Sequence, residues 1–103
     1  MDSLELGPVI AERPLHYQDA MGSGVIRVLL GAPQQTEGAW LCPFQITGLG
    51  DGNVRAAYGV DAFQALHLVM LMIGSTLSAR NEQLRLWWLE ESETDLGFPV
   101  YTD

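Results

Sequence analysis

With 103 residues, 48% of them hydrophobic, the chain fits one globular domain over residues 1–103, able to bury roughly two-thirds of its unfolded surface and offset the ordering entropy. Thirteen acids face five bases, all of them arginine, for a net charge of −8; no basic face can track phosphates, so nucleic acid and an anionic membrane surface are both disfavoured as partners. The single Cys42 forbids an internal disulfide and suits a reducing cytoplasm, the acidic start Met1-Asp2-Ser3-Leu4-Glu5-Leu6 is unlike a secretory signal, and the uninterrupted apolar run at residues 68–73 is too short to span a bilayer.

Taken in order, residues 8–16 alternate well enough for a strand with Val9, Ala11 and Leu15 on one face. Residues 19–24 carry turn chemistry in Gly22-Ser23-Gly24, and residues 25–30 form a β-branched strand. A polar loop containing Pro33 follows at residues 31–38. Period two returns at residues 39–47, with Trp40, Cys42, Phe44 and Ile46 on one face; Pro43 cannot donate to a ladder, which predicts an edge strand or a bulge there. The cluster Gly48-Leu49-Gly50-Asp51-Gly52-Asn53 predicts a tight hairpin at Asp51-Gly52, leading into a strand at residues 54–58.

The helix has the strongest local signals. Asp61 is an N-cap with Gln64 three residues later, Val60 is placed to staple onto the first turn, and Asn81 is a stop after Ala79. At 100° per residue, Phe63, Leu66, Val69, Met70, Ile73 and Leu77 form the stripe assigned to the sheet. Leu68, Leu71 and Met72 lie on the other side with little polar relief. Residues 84–89 suit either a continued helix or a strand; the short aromatic run after a helix stop favours the strand, with Trp87 and Trp88 on opposite faces. The expected fold is therefore α+β: an antiparallel sheet of about four to five strands with one long helix packed across it, in β-β-β-β-α-β order.

No chemistry-bearing constellation emerges. His16, His67 and Cys42 sit singly on different elements without ligand spacing, no Gly-x-Ser-x-Gly elbow is present, and the glycine cluster lacks the positions of a phosphate loop. Cys42 reads as a small buried hydrophobe. No catalytic, cofactor-binding or metal residue is assigned, and no cofactor is expected. Two features exceed what a bland domain requires. Residues 90–103 hold five acids and no base, net −5, against eight acids and five arginines, net −3, in residues 1–89. The second is apolar excess, in the back of the helix and in the paired tryptophans, unless Phe98-Pro99-Val100-Tyr101 folds over them. The candidate partner-binding residues are accordingly Leu68, Leu71, Met72, Trp87, Trp88, Glu90, Glu91, Glu93 and Asp95.

Several segments together resemble a known family: Ala11-Glu12-Arg13, Cys42-Pro43-Phe44 with Gly48-Leu49-Gly50, the stretch Tyr58-Gly59-Val60-Asp61-Ala62-Phe63-Gln64-Ala65-Leu66 with Met72-Ile73-Gly74, and Gly97-Phe98-Pro99. This pattern is similar to a family of small bacterial proteins of about this length classed as a domain of unknown function. The resemblance implies a bacterial origin and no activity, and each piece of its Gly-Val-Asp-Ala-x-Gln-Ala-Leu motif already has an architectural job at the helix start. The expected function is a non-catalytic, acidic protein-binding domain of the kind that immunity proteins use to neutralise a toxin, its partner being a basic protein or its own copy. A homodimer of other role, and a small-ligand binder or enzyme with a pocket between sheet and helix near Trp40, Trp88 or His67, stay open as alternatives.

Overall fold

The computed structural model describes residues 4–100; the predicted places of Met1, Asp2, Ser3, Tyr101 and Asp103 fall outside the described residues. Strand β1 (Val9–Asp19) turns through Ala20 and Met21 into β2 (Gly22–Gly31), and β3 (Gln34–Thr36) turns through Glu37 and Gly38 into β4 (Ala39–Thr47). Residues 48–54 then loop into β5 (Arg55–Gly59), helix α1 (Ala62–Arg80) crosses the sheet, and β6 (Arg85–Trp87) pairs with β1. All pairings are antiparallel, so the α+β expectation holds, with six strands in place of four to five. The additional strand, β3, is polar Gln34-Gln35-Thr36, which shows no apolar alternation. Two turns also differ from expectation: Gly22-Ser23-Gly24 lies within β2, and the β4–β5 connection is a longer loop rather than a two-residue hairpin at Asp51-Gly52.

Strand β4 has three partners and two sides. Residues 39–41 pair with β3, residues 44–47 with β2, and residues 40–44 with β5; the overlaps at Trp40 and Phe44 put β2 and β3 together on the side opposite β5. The strands β5 and β6 thus lie at opposite edges of the sheet, and the short β3 also pairs on one side only, with β4. Pro43 therefore sits in an interior strand rather than at an edge, and it pairs with β5 in unbroken register, without the expected alternative of a bulge. Its missing N–H faces the gap where the chain passes from β2 to β3, between the Leu30↔Phe44 and Gln34↔Leu41 pairs.

One face of the sheet is the core. Leu15, Ile26, Val28, Cys42, Phe44, Ala57 and Leu86 meet the helix row Ala65, Val69, Ile73 and Leu77, all at 3% exposure or less. Asp61 caps α1 by accepting from the Gln64 N–H at 2.8 Å, while the Gln64 side chain accepts from the Val60 N–H at 2.8 Å, one residue earlier than in the usual capping box. The buried stripe is rotated from the predicted one. Phe63 is 85% exposed and Val60 82% exposed, so neither the core place nor the staple holds, and Leu66 and Met70 only flank the core. With a mean hydropathy of 1.5 over eighteen residues, α1 matches a membrane span by length and composition, which run length alone overlooks; here its apolar row is seated on the sheet.

The helix has a second cover. Residues 96–100 return across it, and at Gly74 the carbonyl of Pro99 occupies the space where a Cβ would stand. This strap is held by Arg13, whose guanidinium lies 3.8 Å from the Trp88 ring centroid and 4.6 Å from that of Phe98 and donates to the Leu96 carbonyl at 3.1 Å. Gly97 adopts φ +80° directly under Trp88, where a side chain has no room. At the other end, Leu6 passes over Gly31 beside the fully buried Pro43.

Candidate functional site

Because α1 rests mainly on β4 and β5, it leaves a strip of surface along the β5 edge. Ala56, Tyr58, Leu68, Met72 and Ser75 line a groove of about 360 Å³ there. Tyr58 is 57% exposed and Met72 36%, both lining the groove, whereas Val60 and Phe63 are exposed outside it, Phe63 half a turn round the helix from Met72. Contiguous exposed apolar side chains, as in the groove, mark association surfaces. At the Arg55 end of β5 lies a cleft of about 320 Å³ between the β4–β5 loop and the end of α1, lined by Leu49, Asp51, Asn53, Arg55, Thr76 and Arg80.

This cleft is electrostatically unlike the rest of the chain. It holds two of the five arginines, and no acid occurs between Asp61 and Glu82. The Asp51 carboxylate accepts from the Asn53 N–H at 2.9 Å and lies 3.5 Å from Arg55. That backbone hydrogen bond holds its pKa below the usual carboxylate value, with desolvation opposing it and the Arg55 and Arg80 charges adding to the lowering. Asp51 is thus ionised and committed to the loop. Arg80 takes part in no side-chain hydrogen bond or ion pair among the described residues.

The sequence-predicted residues fall at opposite edges of the sheet. Leu68 and Met72 are brought together in the β5 groove. Leu71 is corrected: it is 7% exposed, on the side of the helix away from the sheet, beside the strap that crosses at Gly74, and so offers no open surface. Trp87 and Trp88 do point to opposite faces. Trp88 lies under the strap, whereas Trp87 stacks on His16 at 5.5 Å with Arg85 over its ring at 5.0 Å. Glu90, Glu91, Glu93 and Asp95 are all exposed next to β6, Glu91 pairing with Arg85. Sequence reasoning missed Tyr58 and the Arg55–Arg80 pair; the acid-free stretch between Asp61 and Glu82 was a signal for Arg80 alone.

Between sheet, helix and strap a smaller cavity of about 150 Å³ is lined by Arg13, Leu30, Met70, Ile73 and Phe98 rather than by Trp40, Trp88 or His67. Among the described residues no three His, Cys, Asp or Glu side chains gather where a metal ion would fit. Cys42 is fully buried, its thiol donating weakly to the Gly31 carbonyl at 3.5 Å, and burial pushes its pKa from the ordinary 9.0 up to about 11. The folded chain then retains this proton where the unfolded chain has lost it, so stability falls as pH rises from about 9 to 11. Urea unfolding at pH 7 and pH 10 should show a smaller loss for Cys42→Ala than for the parent; equal losses would contradict the assignment.

A family model described as "Domain of unknown function (DUF6968)" matches residues 11–100. The chain belongs to this family. The match runs from the β1 segment that carries Arg13 to the strap that Arg13 holds, and takes in the whole of α1 and the β5 groove. No curated protein and no solved structure matches the chain.

Proposed function

We propose that this protein is a non-catalytic binding domain that docks a partner protein along the β5–α1 strip. The observation that carries the reading is the groove of Tyr58, Leu68 and Met72, with Tyr58 and Met72 exposed, beside an unpaired sheet edge, in a region with no acid between Asp61 and Glu82. The partner is a different chain of basic character. Two copies, each at −8, repel, whereas a basic protein is drawn in by the field of the molecule and of the exposed acids at residues 90–95. Neutralisation of a basic toxin is the cellular role such a surface suits.

The test is the pair Tyr58→Glu and Met72→Glu made together, both at exposed groove positions, so that fold and melting temperature stay close to the parent. A host partner recovered by the parent should be lost at least tenfold with the double variant and be displaced by free parent protein. Equal recovery by both forms overturns the docking surface. A stable dimer by light scattering at tens of micromolar overturns the choice of a different chain.

A further inference from the structure

The site's geometry specifies how a partner is held, and this step rests on the binding-domain reading above. We propose that the partner presents its own C-terminus, added to β5 as a further antiparallel strand with its α-carboxylate between Arg55 and Arg80.

The backbone register comes first. The β3–β4 hairpin closes on Thr36↔Ala39 across a two-residue turn, and such a closing pair exchanges hydrogen bonds. Alternation from there turns the backbone groups of residues 41, 43, 45 and 47 toward β2 and β3, and those of Trp40, Cys42 and Phe44 toward β5. Pro43, with no N–H, falls on the interrupted side, as this alternation requires. The β5 partners Arg55, Ala57 and Gly59 are thereby engaged with β4, and Ala56 and Tyr58 direct their N–H and C=O outward. Those same two residues line the groove with Leu68 and Met72. An extended chain of about four residues pairs with these groups and sets apolar side chains against the groove.

Direction and end follow. The sheet is antiparallel throughout, so an added antiparallel strand runs from the Gly59 end to the Arg55 end. At that end lies the cleft lined by the two guanidiniums, Asn53 and Thr76. Asp51 is bound to its own loop and to Arg55, which leaves Arg80 to meet an incoming carboxylate. Two arginines against one carboxylate at this end fit the α-carboxylate of a chain terminus better than a neutral segment that continues onward.

The probes are two libraries of random decapeptides, one displayed with a free C-terminus and one with that end fused to its carrier. The free-end library should enrich peptides with apolar residues at alternate terminal positions. Fluorescence anisotropy on the best of these should show binding at least tenfold weaker for its C-terminal amide. Arg80→Gln should weaken the acid to the level of the amide, Arg80→Lys should restore part of the difference, and Tyr58→Pro, which removes one outward N–H at an edge, should weaken acid and amide alike. Acid and amide bound equally, or enrichment from the fused library alone, overturns the terminus proposal and leaves the binding domain standing provided binding is lost with Tyr58→Glu and Met72→Glu. Failure of both libraries to yield a binder sensitive to that double variant overturns both readings, as does a dimer in which β5 pairs with its own copy.

Discussion

Truncating Phe44 to alanine should lower the unfolding free energy by about 3–5 kcal/mol, the range for deleting a buried phenylalanine side chain. Phe44 is 2% exposed on the core face of β4, between Leu30 of β2 and Arg55 of β5, under a helix that rests mainly on β4 and β5. Neighbours on a paired strand cannot collapse far into the vacated space, so transfer and cavity costs both apply. At about 4–8 °C per kcal/mol for a domain of this size, the melting temperature should fall by more than ten degrees. Thermal unfolding by circular dichroism measures this, with Phe63→Ala as the internal control. The same side chain at 85% exposure should cost less than about 0.5 kcal/mol. Similar losses at the two positions would mean that the helix is not seated as described.

The second large effect has an unusual sign. Alanine in place of glycine inside a helix ordinarily stabilises by up to about 1 kcal/mol, yet Gly74→Ala should destabilise by about 1–3 kcal/mol, the range for forced overpacking. The reason is the strap: a Cβ on Gly74 enters the space of the Pro99 carbonyl oxygen and stands 3.6 Å from the Phe98 Cβ. The backbone at Pro99 must lift, and with it goes the Arg13 contact to Phe98 and to the Leu96 carbonyl. Chymotryptic cleavage after Leu96 should accelerate at least tenfold. A stabilised Gly74→Ala variant with unchanged proteolysis would show that the strap does not lie on the helix.

Much of this architecture is legible in local chemistry, and its misreadings have identifiable causes. Asp61 and Gln64 announce the helix start because capping depends on side chains a few residues apart. The period-two alternation of Trp40, Cys42, Phe44 and Ile46 returns β4 with its observed ends. Phe63 and Leu71 are misassigned for a shared reason. A helix apolar nearly all round has no single preferred face by periodicity, and the strap that buries Leu71 while leaving Phe63 open comes from residues far along the chain. Pro43 in an interior strand depends on a break between β2 and β3 that no rule about proline alone contains. At the site, Leu68 and Met72 stand out as a local apolar excess. Arg55 and Arg80 become neighbours of one cleft only once strand order and helix direction are known, being 25 positions apart.

The pairing of β6 with β1 carries a kinetic consequence. The β1–β2, β3–β4 and β4–β5 contacts are hairpins that close short loops, whereas the Arg85 side chain meets Gln18 across 67 residues. Loop closure over that distance is slow relative to hairpin formation. During synthesis these hairpins therefore form ahead of the helix, and Leu15, Ile26, Val28 and Phe44 present an uncovered apolar sheet until residues 62–80 emerge and settle on it. The interval between those two events is when a nascent chain of this family most needs a chaperone, and slowing translation within α1 should lengthen it.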